Sequence, residues 1–181
     1  MTIDRTAFRD AMACMGAAVN VVTSAGPAGQ CGYTCTAVCS VTDDPAMVLV
    51  CLNRSSAMNP LFRQNGVFCV NVLSGNQQYL SRRFAGQGGV AMEDRFADLD
   101  WIVMTSGAPA LRHAVSVIDC QISEVKEVGT HSILFGKVID ARVNGGDNTL
   151  VYCNRNYHAV PHSVAARDDG SAVPLPWCRH P

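Results

Sequence analysis

The sequence predicts an all-β fold with a few helices, arranged as a closed or nearly closed antiparallel barrel. Three observations predict it. Seven or eight segments carry the β-branched, alternating pattern of strands, turn signals separate them at short intervals, and helical periodicity is confined to a few short stretches.

The elements follow in order. Phe8, Ala11, Met12 and Met15 fall on one helical face, and Gly16 is placed to end that helix. Residues Ala18 to Ser24 read as a strand, Gly26-Pro27-Ala28-Gly29 as a turn, and Gly32 to Val41 as a second strand, so the two form a hairpin. After the turn at Asp43-Asp44-Pro45, Met47 to Leu52 is apolar on both faces and therefore central. Ser55 or Ser56 can cap a short helix that holds Pro60 in its first turns and ends near Gly66. Val67 to Leu73 is a fourth strand. The chain from Asn76 to about Asp98 is helical or irregular, broken by Gly86, Gly88 and Gly89. Two long β segments, Ala114 to Val128 and Ser132 to Val143, flank a turn at Gly129-Thr130-His131. Thr149 to Asn154 is the last expected strand. Residues 1–164 make one domain, and 165–181, with three prolines and few periodic apolar positions, are expected to be a flexible tail.

Composition narrows the function. With 14 Lys+Arg against 15 Asp+Glu, the net charge is −1, so no global field draws nucleic acid or an anionic membrane. No apolar run approaches the roughly 20 residues of a membrane span. The start, Met1-Thr2-Ile3-Asp4-Arg5, lacks an apolar signal-peptide core. Nine cysteines, an odd number with no Cys-x-x-Cys pair, fit free thiols in a reducing cytoplasm better than a disulfide framework or a metal site. Charged residues are 16%, against roughly 25% in an average soluble domain, which fits a surface partly hidden against a second subunit.

Familiar motifs are missing. There is no G-x-G-x-x-G between a strand and a helix, no P-loop, no G-x-S-x-G and no H-E-x-x-H. Candidate sites must come from other patterns. Asn53-Arg54-Ser55-Ser56 joins a strand to a helix N-terminus, where unpaired N–H groups, two hydroxyls and a cation suit a phosphate. An ordinary capped helix with a solvated arginine is the competing reading. Thr34 and Thr36 share one face of the second strand and would suit the polar edge of a flat heterocycle, or simply face solvent. His131 sits in a turn, and Arg155, Tyr157 and His158 cluster after a strand, where they could stack on and pair with a nucleotide or form a plain polar loop.

Four segments share one resemblance: FRDAM at 8–12, GQCGYTCTAVCSVTDDP at 29–45, VLVCLNRSSAMNPLFRQNGVFCVNVL at 48–73 and GTHSILFGKV at 129–138, with FAG at 84–86 fitting the same pattern. In this order they resemble the short-chain flavin reductases. Within that family the chain is similar to the reductase partners of 4-hydroxyphenylacetate 3-monooxygenase and of phenol and chlorophenol monooxygenases. The resemblance implies an FMN-binding split β-barrel that forms a homodimer. It also implies hydride transfer from NADH to FAD, or to FMN, after which reduced flavin leaves for an oxygenase. It places Thr34, Cys35, Thr36 and Ala37 along the isoalloxazine, and Asn53, Arg54, Ser55 and Ser56 on the ribityl phosphate with Asn59 nearby. Phe84, Ala85 and Gly86 would close over the flavin, and His131, Arg155, Tyr157 and His158 would stand on the nicotinamide side. No catalytic acid or base is implied, because the cofactors carry the chemistry. Three alternatives stay open at this point: a reductase for another oxygenase, such as one in pyrimidine breakdown; a flavin-binding protein without turnover; and a heme-binding barrel.

Overall fold

The structure, a computed structural model, describes residues 3–162; the expected tail at 165–181 and Cys178 lie outside them. Helix α1 (Arg5–Ala13) opens the fold, with the Asp4 carboxylate accepting from the backbone N–H of Thr6 and Ala7 at 3.0 Å. The strands and helices that follow are β1 (Ala17–Ala18), β2 (Asn20–Ser24), β3 (Cys31–Cys35), β4 (Val38–Asp43), β5 (Ala46–Asn53), α2 (Met58–Asn65) and β6 (Val67–Val72). Beyond these come α3 (Gln78–Phe84), β7 (Trp101–Val103), β8 (Pro109–Leu111), β9 (Ser116–Val128), β10 (His131–Val143), β11 (Asn148–Cys153) and β12 (Asn156–Pro161). No helix among the described residues is long and apolar enough to cross a membrane.

Seven strands form one antiparallel sheet in the order β3-β2-β6-β9-β10-β5-β4. Its two end strands, β3 and β4, are consecutive in the chain. Residues Thr36 and Ala37 between them turn the corner and bring the two edges together. Cys51 N–H donates to the Ala37 carbonyl at 3.2 Å, and the Tyr33 hydroxyl donates to the Cys51 carbonyl at 3.3 Å. The sheet order runs from β3 to β4 without a shared ladder between them, and these bonds stitch β3 and the bend to β5 across that gap. The single strand expected over Gly32 to Val41 is therefore corrected to two. Asn20 Nδ2 donates to the Cys35 carbonyl at 3.2 Å, and Val38 N–H donates back to Thr36 at 3.0 Å, which ends the β3 ladder.

Strand alternation sets what each face meets. Along β3, Cys31, Tyr33 and Cys35 pack in the barrel core with Val22, Val50, Phe62 and Phe68, while Gly32 and Thr34 face outward. Gly136 on β10 sits against the Phe68 ring; an added Cβ there would fall 2.6 Å from Phe68 Cε1, so only glycine fits. Strand β5 pairs on both sides, with β10 and β4, but it is next to last in the sheet and not central as expected. Its inward residues Val48, Val50 and Leu52 are buried, but Met47, Leu49 and Cys51 are half-buried, so only one face is fully covered.

Outside the ring a second core gathers Leu73, Leu80, Phe84, Phe96 and Leu150, with the rings of Phe84, Phe96 and Trp101 mutually in contact. It seats α3 and the three-stranded sheet β1-β11-β12 against the barrel. The last expected strand, Thr149 to Asn154, has a partner the sequence reading left as a loop. The turn Asn154-Arg155 takes left-handed φ values of 48° and 59°, the twist-matched form of a two-residue hairpin, and leads into β12. Helix α1 forms but stops at Ala13, short of Met15 and Gly16, and none of its residues is buried; Phe8 is 52% and Met12 46% exposed.

Candidate functional site

Helix α3 is anchored to the outer face of β3 by hydroxyl groups. The Thr34 hydroxyl donates to the Ser81 carbonyl at 2.6 Å, and Ser81 Oγ lies 2.9 Å from the Tyr157 hydroxyl. Tyr157 in turn packs edge-on against Tyr152. Ser81 is fully buried, so this chain of bonds fixes three elements, β3, α3 and β12, in one arrangement.

Around it lie three cavities that share walls. One of 570 Å³ is lined by Thr34, Thr36, Ser81, Arg82, Arg155 and Tyr157, among others. One of 430 Å³ is lined by Gly32, Thr34, Ser56, Ala57, Ala85, Gly86 and Arg95, with Phe84 also on its wall. A third, of 770 Å³, runs between α1 and the bend at Thr36, Ala37 and Val38, with Arg155 on its rim. Thr34 belongs to the first and second, and Thr36 to the first and third. Together they make a groove along the outer side of β3 and the bend, of a size that takes a flat heterocycle with an attached tail.

The groove gathers Thr34, Thr36, Ala37, Ser56, Phe84, Ala85, Gly86, Arg155 and Tyr157 of the residues singled out in the sequence. Within this group, Phe84 is buried against Gly32, Phe96 and Trp101, and it is Ala85 and Gly86 that stand exposed at the wall. Cys35 points the other way, into the barrel, with its thiol on the Ala37 and Cys51 carbonyls. Burial pushes that thiol up to about 11, and those of Cys31 and Cys120 to about 12, so these sulfurs stay protonated and unreactive at neutral pH.

The segment before α2 is arranged differently from the simple cap expected. The helix starts at Met58 behind Ala57, which makes no side-chain cap; Ser56 Oγ accepts a 3.3 Å bond from Met58 N–H from one position earlier. Asn53 Oδ1 accepts from both the backbone N–H and the hydroxyl of Ser55 at 2.9 Å. Arg54 pairs with Glu127 on β9 at 3.0 Å. Asn59 is buried and donates to Ser132 Oγ at 3.0 Å, a bond that ties α2 to β10. His131 stands opposite Asn53 in the β5–β10 ladder, with its Nδ1 on the Thr130 hydroxyl at 2.9 Å. His158 is exposed on β12, its Nε2 3.2 Å from the Cys153 carbonyl. The four residues expected on the nicotinamide side thus occupy two places, His131 beside Asn53 and the other three around the β11–β12 hairpin.

Sequence reasoning missed Ser81, Arg82 and Arg95. Arg82 adds a cation to the first cavity, and Arg95 lies in the second beside Gly86. The signal available was the Arg82-Arg83 pair directly before Phe84, in a stretch that reads as helical or irregular and is helical here.

Residues 12–161 match the model of the flavin reductase like domain. The chain belongs to the flavin reductase family. It is 51% identical over 154 residues to the 4-hydroxyphenylacetate 3-monooxygenase reductase component of Pseudomonas aeruginosa, covering 85% of this chain and 91% of that one. It is 48% identical over 159 residues to the FMN reductase (NADH) RutF of Enterobacter cloacae, covering 88% and 96%. The solved structure of the Streptomyces globisporus NADH:FAD oxidoreductase SgcE6 with NAD and FAD fragments superimposes with a TM-score of 0.79 at 28% identity, over 89% of this chain and 95% of that one. The barrel is accordingly the split barrel of flavin reductases, and the protein is a flavin oxidoreductase.

Proposed function

We propose that the protein is an NADH-dependent flavin reductase that takes FAD, and FMN as well, and releases free reduced flavin to a flavin-dependent monooxygenase acting on a phenol-type aromatic. The observation that carries this reading is the groove shared by Thr34 and Thr36, which is open along its length and built on a hydrogen-bonded wall. Bound flavin supplies the hydride acceptor and NADH the donor.

The chain's own residues then have assigned tasks. Thr34, Thr36 and the backbone through Ala37 orient the heterocycle, with Cys35 filling the barrel behind them. Asn53, Arg54, Ser55 and Ser56 take the phosphate, with Asn59 holding α2 in place below. Ala85 and Gly86, set by buried Phe84, exclude water from one side. Arg155 and Tyr157 receive the nicotinamide nucleotide, and His131 and His158 are assigned to the same side. The donor set fits a flavin: hydroxyls and backbone for the ring edge, small residues at the wall, and cations toward the tails.

The quaternary proposal is a homodimer. The apolar face of α1, with Phe8 and Met12 exposed and Met15 exposed just beyond the helix, beside the 770 Å³ cavity, supports a second copy of the chain as its cover. The proposed location is the cytoplasm, supported by eight free thiols among the described residues. Sedimentation analysis giving a monomer would remove the dimer.

A second reading has its own support. The near-complete coverage of an FMN reductase (NADH) relative at 48% identity favours FMN as the flavin and a different oxygenase as the recipient. Coupling the purified protein to oxygenases of each class, with FAD and FMN in parallel, separates the two.

A further inference from the structure

Arg54 is held by a carboxylate on the neighbouring hairpin. Glu127, near the end of β9, uses one oxygen for each of two arginines: Oε2 lies 3.0 Å from Arg54 and Oε1 2.7 Å from Arg63 of α2. Arg54 also donates to the Gly129 carbonyl at 3.3 Å from its guanidinium and to the Thr130 carbonyl at 2.9 Å from its backbone. The guanidinium is thereby turned toward the β9–β10 turn. Ser56, two residues on, lines the groove, whereas Arg54 lines none of the three cavities.

We propose that Glu127 is a specificity-determining counter-ion that competes with the flavin phosphate for Arg54 and so keeps phosphorylated flavins loosely bound. The proposal rests on the reading that Asn53 to Ser56 receives the phosphate. Its physical basis is the state of the pair. Both side chains are about half exposed, 49% for Arg54 and 41% for Glu127, and such pairs shift an equilibrium by about fivefold at most. A phosphate dianion is a stronger partner for a guanidinium than one shared carboxylate. Glu127 therefore lets go of Arg54 when phosphate arrives, and the cost of letting go is subtracted from binding. Loose holding suits a reductase whose reduced flavin must leave.

The test measures dissociation constants for FMN and for riboflavin, which lacks the phosphate, at one ionic strength. Wild type, Glu127→Gln, Arg54→Gln and the double variant are compared. The proposal expects Glu127→Gln to tighten FMN by about threefold while riboflavin is unchanged, and the gain to vanish in the Arg54→Gln background. A gain that persists without Arg54 reports only a general change of field and overturns the competition. FMN binding that is unchanged or weaker in Glu127→Gln, while Arg54→Gln still lowers the preference for FMN over riboflavin, overturns the counter-ion role alone. If Arg54→Gln leaves that preference untouched, the phosphate assignment of Arg54 falls and the proposal with it.

Discussion

Two polar clusters, one on the wall of the groove and one outside it, are built on opposite principles. On the wall, Thr34, Ser81 and Tyr157 form a neutral chain of hydrogen bonds around a fully buried serine. Outside the groove, Arg54, Glu127 and Arg63 form a charged cluster that water reaches. The buried chain sets shape, because each of its groups has lost water and must keep its partner. The exposed cluster is free to rearrange, because its members can exchange partners at little cost. On the proposed reading, a flat ring would meet the rigid wall and a charged tail the yielding cluster.

The comparison can be broken by substitution, with effects of decreasing size. Replacing Ser81 by Val puts a branched side chain into a filled space and leaves the Tyr157 hydroxyl without its partner. Thermal or urea unfolding should show a loss of about 2–3 kcal/mol, with flavin binding weakened together with stability. Thr34→Val keeps the shape and removes the 2.6 Å bond to the Ser81 carbonyl, so about 1 kcal/mol is expected, with a larger fractional loss in flavin affinity than in melting temperature. Arg63→Gln in the exposed cluster should change unfolding free energy by no more than about 0.5 kcal/mol. A result as large as that for Ser81 would show that the charged cluster is structural.

A buried carboxylate sharpens the contrast through pH. Asp119 on β9 is fully buried and accepts from Ser106 N–H at 2.8 Å and the Ser106 hydroxyl at 2.5 Å; burial nonetheless raises it above the usual carboxylate range. A carboxyl raised in the folded state binds its proton more tightly there than in the unfolded chain. Its contribution is full below the unfolded value and is lost as pH rises through the folded one. Melting temperatures measured from pH 4 to 7 should carry this falling component, and it should disappear in Asp119→Asn. Alkylation gives the smallest signal. At neutral pH, exposed Cys14 and Cys39 should react with iodoacetamide, while buried Cys31, Cys69 and Cys120 remain unmodified in the native mass spectrum.

Much of this arrangement was legible in the sequence where residues advertise it. Gly129 marks the β9–β10 turn with a φ of 54°, and Gly66 ends α2 with a φ of 71°. The groove's Thr34 and Thr36 declared themselves as polar positions on one face of the expected strand. The split between β3 and β4 did not, because Thr36 and Ala37 are neither glycine nor proline and read smoothly as strand. The bend comes from bonds made by Asn20 and Cys51, which are distant along the chain. The β11–β12 hairpin was hidden for a related reason, since Arg155 takes a left-handed turn position that composition assigns to glycine or asparagine. Ser81 and Glu127 act on the site across long sequence separations. The resemblance supplied residue positions, and only the fold shows that Cys35 faces the core and that Arg54 is already paired.

The central claim is that this groove turns over NADH and lets reduced flavin go. The direct measurement is anaerobic oxidation of NADH with FAD, FMN and riboflavin in separate reactions, followed by gel filtration of the product. The account predicts one NADH consumed per flavin reduced, with the reduced flavin eluting apart from the protein. Flavin binding without NADH oxidation, or reduced flavin that stays with the protein, would contradict it.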